Sequence, residues 1–257
     1  MALPIAVQLY SVREALATDY EGVIRQIAAM GYAGVEAAGM YGESVESAAR
    51  LFSELGLTVP SAHLPLPIGD DKSRVLDTAA TLGVQYVVLA WLPAEELRTV
   101  DQIKAHCERM NEGSANAKAN GLTLCYHNHW WEVELIEVLG DRTPLDVMLE
   151  HLDPSVAFEV DLYWVKTGGA DPVLTLNRLG ARVPLVHVKD GSAKVEDSML
   201  AVGDGTLNYP AILPAAAHAT WAIVELDRCA TDMLTAVRRS YDYLVKTGLG
   251  RGRQSMG

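Results

Sequence analysis

Four apolar runs in the second half of the chain end alike, in residues able to hold a metal ion: LTLCYHNHWWE (122–132), VAFEVDLYW (156–164), VPLVHVKD (183–190) and AIVELD (222–227). If each is a β-strand, side chains two apart share a face. Cys125, His127 and His129 then point one way, as do Ala157, Glu159 and Asp161, Leu185, His187 and Lys189, and Ile223, Glu225 and Asp227. One polar face repeated at four strand ends is how a barrel assembles a site from distant sequence.

Four more apolar runs precede these, at 5–10, 34–38, 57–63 and 84–91, and segments of helical spacing such as YEGVIRQIAAMGY and SVESAARLFSELG lie between runs, closing near a glycine. Asp171-Pro172 marks a helix start, and Asp153-Pro154 a start or a turn. Eight strands alternating with about as many helices, the strands mostly continuous in apolar character, predict an α/β chain forming a single (β/α)8 barrel. The 257 residues, 49% of them hydrophobic, are the usual size for one. An open doubly wound sheet is disfavoured because QLYSVREAL, and no G-x-G-x-x-G, follows the first strand. No linker divides the chain, so the expected layout is one barrel over 1–247 and a mobile tail over 248–257. The longest non-periodic stretches, 129–143 and 190–209, follow strand C-termini, where barrel enzymes carry their chemistry.

With 33 acidic against 21 basic residues, the net charge of −12 repels polyanions, so neither nucleic acid nor an anionic membrane is an expected partner. Three widely spaced cysteines argue against a disulfide framework, and the N-terminus MALPIAVQLYS carries no secretory signal pattern. A cytoplasmic protein with a small-molecule carbohydrate substrate is the expectation, and a homo-oligomer is compatible with it.

Asp161, His187 and Glu225 sit at or beside the last inward positions of strands six to eight, and carboxylate oxygen with imidazole nitrogen suits a hard or borderline divalent ion. Taken singly, each is as easily a solvated acid or a hydrogen-bonded core histidine; matched strand depth favours the metal site. Glu132 is the favoured fourth ligand because a third carboxylate better balances a dication, although it lies beyond its strand and His127 has the better parity. Lys189 shares the His187 face and is placed either on a substrate oxygen or in a pair with Glu159 or Asp190. His63 and His129 are further substrate-binding candidates, and Glu36 a supporting one. Trp91, Trp130, Trp131 and Trp164 fall at or just after strand ends, where a polyol stacks its C–H face, with Trp130 and Trp164 preferred. No Gly-rich phosphate cradle stands out, GDGTLNY being only a weak anion-nest candidate, so a neutral or keto sugar is the expected substrate.

The pieces QLYSVRE, GVEAAGMYG, YHNHWWE, EVDLYWVKTGG, HVKD, VGDGTLNY and VELD, in this order over nearly the whole chain, resemble the sugar phosphate isomerase/epimerase family of xylose isomerase-like barrels, in the AP endonuclease 2 superfamily. The resemblance implies one divalent ion (Mn, Mg, Co or Zn), held by an acid after strand five, an Asp ending strand six, a His on strand seven and a Glu on strand eight: here Glu132, Asp161, His187 and Glu225. It also implies an isomerase or epimerase acting on a keto sugar, inosose or related polyol through an enediolate, with Glu225 as base and Glu132 or His127 returning the proton. Relatives acting as ketose epimerases carry a Glu where this sequence has His127. The Y-H-N-H form is similar to members acting as inosose dehydratases or on 3-keto sugars, which keeps a lyase outcome open. A non-catalytic carbohydrate-binding subunit is a further alternative. A DNA-repair hydrolase of the endonuclease IV type conflicts with the net charge.

Overall fold

The computed structural model describes residues 2–253. Eight parallel strands line its centre: β1 (Leu3–Gln8), β2 (Gly34–Glu36), β3 (Ser61–His63), β4 (Tyr86–Leu89), β5 (Thr123–His127), β6 (Ala157–Asp161), β7 (Leu185–Val188) and β8 (Trp221–Val224). They pair in the order β2-β1-β8-β7-β6-β5-β4-β3. The two ends of this sheet meet through isolated bridges, Gly34 with Thr58 and Ala37 with Ala62, so a nearly closed (β/α)8 barrel results. Each of these eight strands overlaps an expected apolar run, although β1 starts at Leu3 and β8 at Trp221, ahead of the expected 5 and 222.

Local chemistry explains why the intervening segments are helical. The helix Tyr20–Met30 starts where the Asp19 side chain accepts the Gly22 N–H, and stops at Gly31, whose φ of 103° is left-handed. Val45–Glu54 begins with a reciprocal capping box of Ser44 and Ser47. Asp171 caps Pro172–Leu179 as expected, whereas Asp153 makes only a turn, its side chain accepting from the Ser155 N–H. Each helix buries one stripe against the sheet, Val23, Ile24, Ile27 and Ala28 in the first case. At roughly 1.5–3 kcal/mol per large aliphatic side chain, these stripes hold the outer layer in place.

Inside the barrel a second, smaller core is built from Ala6, Tyr86, Val88, Cys125, Ala157, Leu185 and Ile223. Four of these are the inward residues that the alternation singled out, so the parity argument holds strand by strand. Above this apolar floor each strand from β5 to β8 continues in polar residues, and strand stagger sets their depth. Glu159 is level with Leu185, Asp161 with His187, and His187 with Ile223. Glu159 therefore lies below the His187 ring and Glu225 above it.

The expected mobile tail is corrected at its start. The strand β9 (Gly250–Arg251) pairs with Leu3 and Pro4 of β1, and the Arg253 N–H reaches the Gly31 carbonyl at 2.9 Å. Near its N-terminal end β1 offers free backbone groups, and the chain end satisfies them as an added strand. The rest of that expected tail, 254–257, lies outside the described residues. Among the described residues no helix is long and apolar enough to cross a membrane, and all three cysteines are free.

Candidate active site

Two layers of titratable side chains occupy the C-terminal mouth of the barrel. In the upper layer, His127, Asp161, His187 and Glu225 each offer one donor atom, and these four atoms lie within 4.8 Å of one another. All four residues are buried. In the lower layer, His63, His127, Glu159 and His187 form a second such group. Its centre is Glu159 Oε2, which stands 2.8 Å from His63 Nε2, 3.1 Å from His127 Nδ1 and 3.0 Å from His187 Nε2. Glu36 adds a second carboxylate, 2.8 Å from His187 Nε2, and is held by the Gln8 amide at 2.6 Å and the Ser61 hydroxyl.

Asp161 is placed by β6 and by the turn after it. Its Oδ1 accepts the Trp164 N–H at 2.8 Å, capping the helix Leu162–Thr167, and its backbone N–H is held by Asn128 at 3.0 Å. This leaves Oδ2 facing the cluster, 3.0 Å from the Lys189 ammonium yet without a hydrogen bond of acceptable geometry. Lys189 also reaches Glu225 Oε2 at 2.6 Å and both oxygens of Asp227 at 3.0–3.1 Å. It is held by Tyr209, whose hydroxyl accepts the Lys189 N–H and donates to the Lys189 carbonyl. The expected partners Glu159 and Asp190 are not those observed. Lys189 is fully buried, outside the cavity lining, which corrects its expected contact with substrate.

Electrostatics follow from this packing. Burial works against ionisation of Glu225, but Lys189 and His187 outweigh it and hold the carboxyl well below the usual range. Burial also opposes the charge on His187, and Glu159, Glu36 and Glu225 together push it well above the ordinary histidine value. His127 is driven well below that value, first by burial and then by His187, His129 and Lys189. Burial lifts Asp161 to about 6, against the pull of Lys189.

Over the cluster opens a cavity of about 470 Å³, lined by Tyr10, His63, Trp91, His127, His129, Trp130, Trp131, Trp164, Glu225, Asp227 and Arg228, among others. Trp130 packs on Trp131 and Trp164 with ring centres 4.5 and 4.7 Å apart. His129 stacks on Trp131 at 4.4 Å. Gly168 permits this arrangement, because a Cβ there would stand 2.3 Å from the Trp130 carbonyl oxygen. The Arg228 guanidinium is engaged by the carbonyls of Val195 and Asp197. GDGTLNY is not a vacant anion nest: the N–H groups of Gly203 and Leu207 already bind the Asp190 carboxylate at 2.9 and 3.1 Å.

Of the expected site residues, His63, His127, His129, Trp130, Trp164 and Glu225 line the cavity, and Asp161 and His187 lie among the donors beneath it. Glu132 does not join them, which corrects its expected place as fourth ligand. Its carboxylate turns to the helix side of β5, accepting from the Tyr126 hydroxyl at 2.5 Å and the His129 N–H at 2.8 Å. Tyr126 belongs to the outer core and His127 to the barrel interior, so an acid tied to Tyr126 leaves the inner position to His127. Glu159, placed on the inward face by the sequence but given no role beyond a pairing with Lys189, stands at the centre of the lower group, and Gln8 and Ser61 went unnoticed. The two-residue alternation before Asp161 is the one signal that pointed at Glu159.

Two imidazoles and two carboxylates with convergent donor atoms, one of them the orphaned Asp161 Oδ2, fit a divalent ion of the Mn, Co or Zn type. Asp227 gives the Lys189 ammonium a partner outside that donor set.

The chain belongs to the xylose isomerase-like TIM barrel family, whose pattern matches residues 24–246. Among solved structures, a sugar phosphate isomerase/epimerase from Parabacteroides distasonis ATCC 8503 superposes with a TM-score of 0.80 at 25% identity, covering 95% of this chain and 98% of its own. The IOLI protein with a bound zinc atom gives 0.74 at 16% identity, over 96% and 98%. The probable 3-DHS dehydratase AsbF from Bacillus anthracis gives 0.73 at 14%, over 95% and 99%. No curated protein matches the chain.

Proposed function

We propose that this chain is a divalent-metal-dependent sugar isomerase or epimerase acting on a neutral keto sugar, inosose or related polyol. The observation that carries the reading is the convergence of one donor atom each from β5, β6, β7 and β8 directly under an aromatic-walled cavity. His127, Asp161, His187 and Glu225 would hold the ion. The chemistry a bound ion supplies there is polarisation of a carbonyl and its neighbouring hydroxyl, which acidifies the C–H between them.

The protein's own groups do the rest. Trp130 and Trp164 offer faces to the apolar side of a sugar ring and help exclude water. His129, with burial and Lys189 lowering it to about 3, is a neutral imidazole in the cavity wall whose Nδ1 lacks a partner, suited to a hydroxyl. Glu225, ionised and at the cavity edge, takes the proton from the acidified carbon. Lys189 keeps that carboxylate anionic and aimed. A phosphate-free substrate is supported by the engagement of Arg228 and the internal filling of the Asp190 nest.

Lyase chemistry is the second reading, favoured by His127, because an imidazole replaces one of the two carboxylates that ketose epimerases use as a proton pair. Both readings share abstraction of a carbon-bound proton. The test is exchange of solvent deuterium into a panel of ketoses, inososes and 3-keto glycosides, run with metal-depleted protein and after adding Mn, Co, Mg or Zn. Metal-dependent exchange is expected, with dehydrated product separating lyase from isomerase. Sugar binding without exchange across the panel would reassign the chain to a carbohydrate-binding role.

A further inference from the structure

The two donor groups share His127 and His187, but through opposite ring nitrogens. His127 turns Nδ1 to Glu159 at 3.1 Å and Nε2 toward Asp161 at 3.8 Å. His187 turns Nε2 to Glu159 and Glu36 at 3.0 and 2.8 Å, and Nδ1 to Glu225 at 2.8 Å. Each imidazole thus spans the lower and upper layers. A neutral imidazole carries one N–H and one lone pair, and only the lone pair ligates a metal. Filling both groups at once would require both rings to lose every ring proton.

We infer that Glu159 is the positioning residue that decides which layer holds the ion. It is completely buried and lies outside the cavity lining, so a cation beside it would sit deeper than one beside Glu225, which borders the cavity. Three imidazole nitrogens already surround its Oε2 within 3.1 Å. By accepting N–H from His127 Nδ1 and His187 Nε2, this one oxygen fixes the tautomer of both rings. The lone pairs of His127 Nε2 and His187 Nδ1 then face Asp161 and Glu225, at the layer that opens to the cavity. Glu36, anchored by Gln8 and Ser61, backs the same His187 nitrogen. The strand register places Glu159 one level under Asp161, which is why it acts from below.

The inference rests on the proposed metal site, and its test separates the two. Zinc binding to the whole protein is measured by competition with a chelating dye, and ring nitrogens are assigned by ¹⁵N NMR of histidine-labelled, zinc-loaded protein. One zinc per chain is expected, bound by His127 Nε2 and His187 Nδ1, with the opposite nitrogens protonated. Glu159→Leu, which removes the acceptor, should weaken zinc affinity about 10–100-fold. Glu159→Gln keeps a carbonyl acceptor and should recover a large part of that loss. Ligation through the opposite nitrogens, two zinc ions per chain, or unchanged affinity in a folded Glu159→Leu protein each overturns the inference. The nitrogen assignment in the wild-type chain decides the matter even if the leucine variant does not fold. A wild-type chain that takes up no divalent ion sinks the functional reading itself.

Discussion

The two halves of the barrel carry polar residues of different kinds. From β5 to β8, the inward side chains include atoms that the protein leaves unsatisfied: Asp161 Oδ2, Glu159 Oε1 and, just beyond β5, His129 Nδ1. From β1 to β3, Gln8, Ser61, Glu36 and His63 hold one another, and none of them has a buried atom without a partner. Unsatisfied buried polar atoms are rare because each costs about 1–3 kcal/mol. Asp161 Oδ2 and His129 Nδ1 lie at or under one cavity, which is the placement the proposed metal and substrate would require. On the proposed function, the first half braces and the second half binds.

The largest effect should come from the binding half. Asp161→Ala and Glu225→Gln should each lower turnover by more than ~100-fold while leaving the circular dichroism spectrum native. Gln8→Ala, in the bracing half, should show the reverse: a loss of about 0.5–1.5 kcal/mol of stability from the missing Gln8–Glu36 hydrogen bond, seen as a lower midpoint in urea, with turnover changed only a few-fold. Equal activity losses on both sides would erase the distinction between the halves. Exhaustive chelation should mimic Asp161→Ala in the wild-type protein and be reversed by adding the ion back. Retention of full activity after chelation would show that the donor set serves some other purpose.

This contrast also explains what the sequence could and could not reveal. The eight strands follow from their apolar runs, and the floor residues Cys125, Ala157, Leu185 and Ile223 with the inward His187 from two-residue alternation, because a residue inside a strand has its direction fixed. Glu225, one residue past β8, keeps that direction. Glu132 lies five residues beyond the end of β5, where alternation no longer applies, and the Tyr126 hydroxyl draws it to the helix side. Glu159 was given the right direction but not the right depth, since depth depends on stagger between strands, which one strand's sequence does not carry. Gln8 and Ser61 gave no signal because uncharged polar residues at strand ends are common, and their shared partner Glu36 arrives from a different strand. The tail was misjudged for a similar reason: its pairing with β1 depends on where the barrel's first strand leaves backbone groups free.

A smaller effect is expected at the cavity wall. Trp130→Ala should raise KM about tenfold with kcat nearly constant, a loss of about 1–2 kcal/mol of binding shared by ground and transition states. A fall in kcat with KM unchanged would instead place Trp130 with the bracing residues, as a support for Trp164.

The smallest effect concerns Glu132, which belongs to neither half. Burial lifts its carboxyl to about 7, even though Tyr126 and the His129 N–H favour the ionised form. Because the folded value lies above the ordinary carboxylate value, its contribution to stability is fully present below about pH 4.5 and is lost as pH rises through about 7. Glu132→Gln keeps an acceptor for the His129 N–H and a donor for the Tyr126 oxygen, but cannot ionise. Its stability relative to wild type should improve from pH 5 to pH 8, with a slope of at most about 1.4 kcal/mol per pH unit, read from urea midpoints. A pH-independent difference would mean that Glu132 ionises as freely in the folded chain as in water. Its hydrogen bonds would then balance the effect of burial, and it would be an ordinary brace placed outside the barrel rather than a strained one.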